Sequence, residues 1–207
     1  MDKSKLYLEM RAHLMNDEKP SVYFSEIIDK PEFLRYPLSM LRSLRETEQP
    51  LVHHPEGNAW NHVLLVLDEA AKVKDRSKYP EAFMWAALLH DIGKPATTEN
   101  KNGKITSYNH DKVGAYYSRL FLQEFTDDKG LIDAVAALTR WHMQPVFLLK
   151  GMPYADIEAM KNEIDIEELA LLAMADGLGR LNVDRELEKE KMRTFVKKCI
   201  DIVSNNL

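Results

Sequence analysis

Ala82-Phe-Met-Trp-Ala-Ala-Leu-Leu-His-Asp-Ile-Gly-Lys-Pro95 joins eight consecutive apolar residues to two polar ones that a buried helix normally excludes. Eight apolar residues in a row cover every face of a helix. The stretch therefore predicts a central helix, about residues 77–91, surrounded on all sides. Pro80 suits its first turn because proline has no N–H to leave unpaired there. The expected stop is at Gly93, in the left-handed conformation, with Pro95 preventing resumption.

Outward from this stretch the hydrophobic period stays helical. Leu6, Met10 and Leu14 mark a first helix that ends before Pro20. A second covers about 22–29, and Leu34, Leu38, Leu41 and Leu44 stripe a third. Val63, Val66, Leu67, Ala70 and Ala71, with Leu64 and Leu65 beside them, predict a mostly buried helix. Residues 96–109 read as a polar loop with a turn at Asn102-Gly103 and short extended pieces near Ile105 and Tyr108. Further helices are expected at about 111–125, 130–143, 154–162, 166–176 and 183–204. The mixed-sign run Asp184 to Lys191 marks a solvated face of the last one. The expected fold class is all-α.

Composition agrees with this. Glycine and proline together are 17 of 207 residues, so chain breakers are scarce, and 45% apolar residues can build a sizeable core. A charged share of 29% argues against disorder, and a net charge of −5 argues against dedicated binding of duplex nucleic acid. A small phosphorylated substrate stays compatible. The single cysteine, Cys199, cannot form an internal disulfide and reads as core. The N-terminus lacks the apolar segment of a signal peptide, and no apolar run approaches the ~18 residues of a membrane span. A soluble, cytoplasmic protein is expected.

Two carboxylates break the apolar pattern. Asp91 follows the central run directly, and Asp176 ends Leu169-Ala-Leu-Leu-Ala-Met-Ala175. Each needs a cation, because an unpaired buried carboxylate is costly. His62, His90, His110 and His142 sit at comparable helix ends. Imidazole and carboxylate together are ligands that Zn, Fe, Mn, Co and Ni accept. Consecutive residues on a helix point about 100° apart, so His90 and Asp91 share one ion only if other ligands converge on it. Alternatively, Asp91 bridges two ions. Six ligands are too many for a mononuclear hydrolytic site with open water positions, and they suit two metals sharing an aspartate.

The order His…His-Asp…Asp, with Leu-Leu-His-Asp-Ile-Gly-Lys at its centre, resembles the HD-domain metal-dependent phosphohydrolase superfamily. His54-Pro-Glu-Gly-Asn-Ala-Trp-Asn-His62, Asn109-His-Asp-Lys-Val-Gly-Ala115 and Ala175-Asp-Gly-Leu-Gly-Arg180 are similar to the HD domain of bacterial CCA-adding tRNA nucleotidyltransferases. The likeness covers roughly residues 33–181. It implies an HD-type helical bundle, taken as one domain over 1–207, with N-terminal helices and a C-terminal helix packed on that core. It also implies metal ligation by His62, His90, Asp91 and Asp176, with His110 and His142 where two-metal members place ligands of a second ion. Lys94 resembles a lysine that faces substrate phosphate, with a helix-dipole cation as its alternative role. Arg180 can hold phosphate or pair with Asp176 or Glu56. His54 is expected to organise its loop, which also contains His53; Asn61 is expected to support His62, and His13 to be structural or exposed. Gly177-Leu-Gly179 is no dinucleotide fingerprint, since no strand precedes it. The polymerising head of the CCA-adding enzymes needs a Gly-Gly turn and Asp-x-Asp, and neither string occurs in these 207 residues.

The resemblance implies a phosphohydrolase acting on a phosphomonoester or phosphodiester. The expected substrate is a nucleotide or 2′,3′-cyclic nucleotide, cleaved by water that one or two divalent ions (Mn, Fe, Co, Ni, Zn or Mg) would activate. Asp91, Lys94 and Arg180 are the catalytic candidates. The alternatives are a non-catalytic nucleotide- or RNA-binding module and a di-iron oxygenase of the same fold.

Overall fold

In the computed structural model, which describes residues 3–204, every side chain from Ala82 to Leu89 is buried. They lie on α5 (Pro80–Leu89), which packs against α1 (Lys3–Asn16), α4 (Ala59–Ala71), α8 (Lys129–Trp141) and α11 (Ile166–Leu178). Phe83, Met84, Trp85, Leu88 and Leu89 are each 0% exposed, a burial worth about 1.5–3 kcal/mol per side chain. From α1, Leu6, Met10 and Leu14 face the same core, and Tyr7 stacks on Trp85 with ring centroids 5.5 Å apart. The fold is all-α apart from one two-stranded hairpin.

The remaining elements are α2 (Pro20–Ile27), α3 (Ser39–Arg42), α6 (Lys94–Thr97), α7 (His110–Gln123), α9 (Gln144–Leu149), α10 (Ile157–Glu163) and α12 (Arg185–Ser204). β1 (Thr98–Lys101) pairs antiparallel with β2 (Lys104–Ser107). Asn102 and Gly103 both have positive φ (55° and 80°), the conformation of a tight hairpin turn. The expected extended piece at Ile105 lies in β2, and Tyr108 falls just beyond it. A second cluster, with Trp141, Ile157, Met160, Leu169, Phe195 and Cys199, ties α12 to α10 and α11. The Asp184–Lys191 run is largely exposed, as a solvated face requires.

Three local expectations are corrected. The stripe through Leu34, Leu38, Leu41 and Leu44 is not one helix. It is broken into a 3₁₀ turn (Pro31–Leu34), α3 and a second 3₁₀ turn (Ser43–Glu46), and Leu34 is 65% exposed. Pro37 lies inside the stripe and disfavours helix before it. Gly93 is not left-handed: its φ is −80°, and the chain re-enters a helix, α6, with Pro95 in its first turn. Glycine is needed at 93 for space, because an added Cβ would lie 2.2 Å from the His110 carbonyl oxygen and 2.5 Å from Gly114 N. Finally, residues 144–149 form α9, where no helix was expected, directly after His142.

Candidate metal centre

Five helices and the turn after α5 deliver the six side chains. His62 lies in the first turns of α4, whose N-terminus is capped by the Asn58 side chain accepting from Asn61 N. His90 is the C-cap of α5, with Asp91 beyond it; His110 opens α7; His142 is the C-cap of α8; Asp176 lies near the end of α11. The α11 end approaches α4 closely enough that a Cβ on Gly179 would lie 2.8 Å from Val66 N. All six side chains are buried. Ring centroids are 5.5 Å apart for His62 and His90, 5.5 Å for His90 and His142, and 5.0 Å for His110 and His142. His62 Nε2 is 2.9 Å from Asp176 Oδ1.

Backbone carbonyls fix three of the rings. His90 Nδ1 is 3.0 Å from Ala87 O, His110 Nδ1 2.7 Å from Ser107 O, and His142 Nδ1 2.7 Å from Thr139 O. A carbonyl only accepts, so each Nδ1 carries the hydrogen and each neutral ring turns an Nε2 lone pair inward. His110 Nε2 and His142 Nε2 are 3.1 Å apart, two lone pairs face to face. His62 meets carboxylates on both sides, Asp176 at Nε2 and Glu56 Oε1 3.0 Å from Nδ1, and a neutral imidazole has one hydrogen to give. His90 Nε2 is buried with no hydrogen-bond partner among the described residues. Each of these places calls for a proton or a cation. Burial, with His110 and His90 close by, pushes His142 down to about 4, and burial also lowers His110. For His110 and His142 a cation is therefore the better match at neutral pH, whereas Asp91 raises His90 against burial; the donor set as a whole fits a divalent ion.

Asp91 stands between the rings. Its Oδ2 is 3.4 Å from His90 Nε2, while its Oδ1 is 3.6 Å from His110 Nε2 and 3.9 Å from His142 Nε2. Two groups able to hold a metal share it: His62, His90 and Asp91, and then Asp91, His110 and His142. Burial alone would raise the Asp91 carboxyl, but Lys94 and His90 hold it well below the usual range. Asp176 is likewise held well below by Arg180 and His62, against burial.

A cavity of about 790 Å³ opens onto this cluster, with Asp91, Lys94, His110, His142, Asp176 and Arg180 among its lining residues. Lys94 is buried; its Nζ lies 2.6 Å from Asp91 Oδ2 and donates to Gln49 Oε1. Arg180 takes the first of its two expected partners: its Nη2 is 3.3 Å from Asp176 Oδ1, whereas Glu56 Oε2 accepts from Leu181 N. His54 Nδ1 lies 2.9 Å from Glu56 Oε1 in the same loop, and with Glu56 and His62 it forms a further group able to hold a metal; it also lines the cavity, as does the exposed His53. Asn61 supports that loop by donating to Glu56 O. His13 is structural, stacked on Tyr23 at 3.6 Å. Sequence reasoning gave Glu56 no more than a pairing with Arg180, yet it sits between His54 and His62, and their hydrogen bonds outweigh burial to bring it down to about 2. It also passed over Gln49, and over Asp111, which accepts from Arg140 at 2.6 Å. Single polar residues in loops and first turns carry no periodic signal that could have marked them.

An all-α fold that closes over two His/Asp groups joined by one aspartate defines a helical protein able to hold divalent metal. The HD domain family matches residues 59–181, more than half of the chain, and the chain belongs to that family, part of a superfamily of metal-dependent phosphohydrolases. It is 27% identical over 188 residues to the Multifunctional CCA protein of Actinobacillus pleuropneumoniae serotype 5b, covering 87% of this chain and 44% of that protein. It is 29% identical over 161 residues to the Multifunctional CCA protein of Halorhodospira halophila, covering 72% and 37%. Over 99 residues it is 34% identical to that of Pseudomonas syringae pv. syringae, covering 48% and 23%. The chain thus spans less than half the length of these relatives. Among the described residues no helix is long and apolar enough to cross a membrane.

Proposed function

We propose that this protein hydrolyses a phosphomonoester or phosphodiester of a nucleotide, 2′,3′-cyclic nucleotides included, with His62, His90, Asp91 and Asp176 holding one divalent ion and Asp91, His110 and His142 a second. The observation that carries the reading is the division of Asp91, with Oδ2 toward His90 and Oδ1 toward His110 and His142. Bound divalent ions supply a lowered water pKa and offset charge on phosphoryl oxygens. The Nδ1–carbonyl bonds hold three imidazoles in the ligating tautomer and orientation. Lys94 and Arg180 line the cavity as cations for the phosphoryl oxygens, and burial strengthens the pull of Lys94 on an anion. On the same cavity Phe147 and Tyr154, ring centroids 5.7 Å apart, give an apolar wall against which a base can lie. The likeness to Multifunctional CCA proteins agrees with a nucleotide-related substrate. The same reading takes residues 1–207 as one HD-type unit with its core at about 33–181, working in the cytoplasm.

The test is a metal-by-substrate screen. Mn, Fe, Co, Ni, Zn and Mg are crossed with 2′,3′-cyclic nucleotides, 2′-, 3′- and 5′-mononucleotides, deoxynucleoside triphosphates and dinucleoside polyphosphates, with phosphate release and bound metal both measured. Metal-dependent hydrolysis of a nucleotide, retained without oxygen, is the expected result. Nucleotide binding without turnover under every metal would favour a binding module. Product formation that requires dioxygen would favour a di-iron oxygenase.

A further inference from the structure

Gln49 is 3% exposed, and the backbone immediately before it is fixed. Glu48 bridges Asn58, and Ala59 N donates to Thr47 O, 2.9 Å away, so the residue is held against the start of α4. Its Oε1 accepts from Lys94 Nζ. An ammonium only donates, so the amide oxygen must face Lys94 and the NH₂ group must face away from it. That NH₂ is buried and has no hydrogen-bond partner among the described residues. An unmet buried donor is destabilising, and a methionine or leucine of similar size would avoid the loss. Gln49 also lines the 790 Å³ cavity, together with Lys94 and Arg180, and the Nε of Arg180 is a second buried donor with no partner among the described residues. Donors left unmet beside two cations, on one cavity, match an anionic oxygen that enters with a ligand.

We propose that Gln49 is a substrate-binding residue. Its Oε1 holds Lys94, and its Nε2 donates to an oxygen of the phosphoryl group bound beside that lysine. The assignment rests on reading the cavity as a phosphoester site, and it adds a residue that no metal-ligand pattern identifies.

The experiment measures orthophosphate affinity of the metal-loaded protein by calorimetry, and KM and kcat on the best substrate of the screen. Gln49→Leu is made in the wild type and in Lys94→Met, with Gln49→Met as the second variant should leucine disturb the fold. Losing a hydrogen bond to a charged oxygen is expected to raise the phosphate Kd and KM roughly tenfold or more. The kcat should change far less, as for contacts made equally in ground and transition states. The loss should persist in the Lys94→Met background. If Gln49 acts only by holding Lys94, its replacement adds nothing once Lys94 is gone, and the proposal is overturned. A wild type that binds and hydrolyses while the Gln49 variants match it overturns the Gln49 assignment alone. A wild type that neither binds orthophosphate nor cleaves any phosphoester with any metal overturns the functional reading, and the assignment falls with it.

Discussion

His110 and His142 are 32 residues apart in sequence, yet their Nε2 atoms lie 3.1 Å from each other in a buried pocket. Each Nδ1 is tied to the carbonyl oxygen three residues before it, so neither ring can turn over to offer a hydrogen without breaking a buried bond. Lone pairs in that arrangement repel, and a cation between or beside them relieves the repulsion. Asp91 Oδ1 at 3.6 and 3.9 Å from the two rings completes a ligand triangle.

The first prediction follows from that triangle. His110→Ala and His142→Ala should each lower bound metal from near two equivalents to near one, while Asp91→Ala should take it close to zero. Elemental analysis of the dialysed proteins checks this. A single equivalent in the wild type and in both histidine variants would sink the two-ion reading and leave a mononuclear one.

Asp176 carries the second. Its oxygen touches both His62 and Arg180, so the ligand on α4 and the end of α11 are fixed together. Asp176→Ala should abolish phosphate release and reduce bound metal, and chelation should lower the melting temperature of the wild type. A melting temperature indifferent to a strong chelator would count against metal binding altogether.

Lys94 is buried between Asp91 and Gln49. If it only complemented a helix dipole, Lys94→Ala would lower stability by about 0.3–1 kcal/mol and spare turnover. The expected outcome is a fall in turnover of at least tenfold with metal content unchanged, read by steady-state kinetics beside elemental analysis.

Stability of the metal-free protein should depend on pH through His142. Burial and the neighbouring His110 and His90 bring it from 6.5 to about 4. Between those values the unfolded chain binds a proton that the folded metal-free protein does not, so stability must fall as pH drops from 6.5 toward 4. Thermal melts of chelated protein across that window should show the decline, and His142→Gln should make it shallower, with His54, which burial also brings down to about 4, and His110 supplying the rest. An equally steep decline in the variant would assign it to other groups.

Gly93→Ala tests the packing that sets the site. The added methyl group would meet the His110 carbonyl at 2.2 Å and Gly114 N at 2.5 Å, a backbone clash that no rotamer relieves. A loss of about 1–3 kcal/mol is expected, with the His110-dependent metal equivalent weakened. Calorimetry and metal analysis on one preparation check both effects.

The eight apolar residues from Ala82 to Leu89 leave a helix no exposed face, so the buried centre and the polar pair at its end were legible in the chain itself. The same holds for the residue types able to take a metal, since a buried carboxylate demands a cation and neutral imidazoles beside it can help to hold one. Less legible was the region of Leu34 to Leu44, where a helical period survived although Pro37 broke the helix, because periodicity records which side chains are buried and not whether the backbone between them is continuous. At Gly93 the sequence suggests a conformational stop, but the constraint is spatial, since the group it must avoid, the His110 carbonyl, is 17 residues further along the chain.

The sequence by itself thus determined an all-α architecture, a central buried helix and six histidines and aspartates at helix ends, two residue types able to take a metal. Only the tertiary structure decided that Asp91 presents one oxygen to each histidine group, that Glu56 stands between His54 and His62, and that Gln49 holds Lys94. The physical reason is that hydrophobic period fixes the buried face of each helix but not its partner. Which nitrogen faces which oxygen depends on how helices far apart in the chain dock, to within an ångström, through close approaches such as Gly93 on α7 and Gly179 on α4.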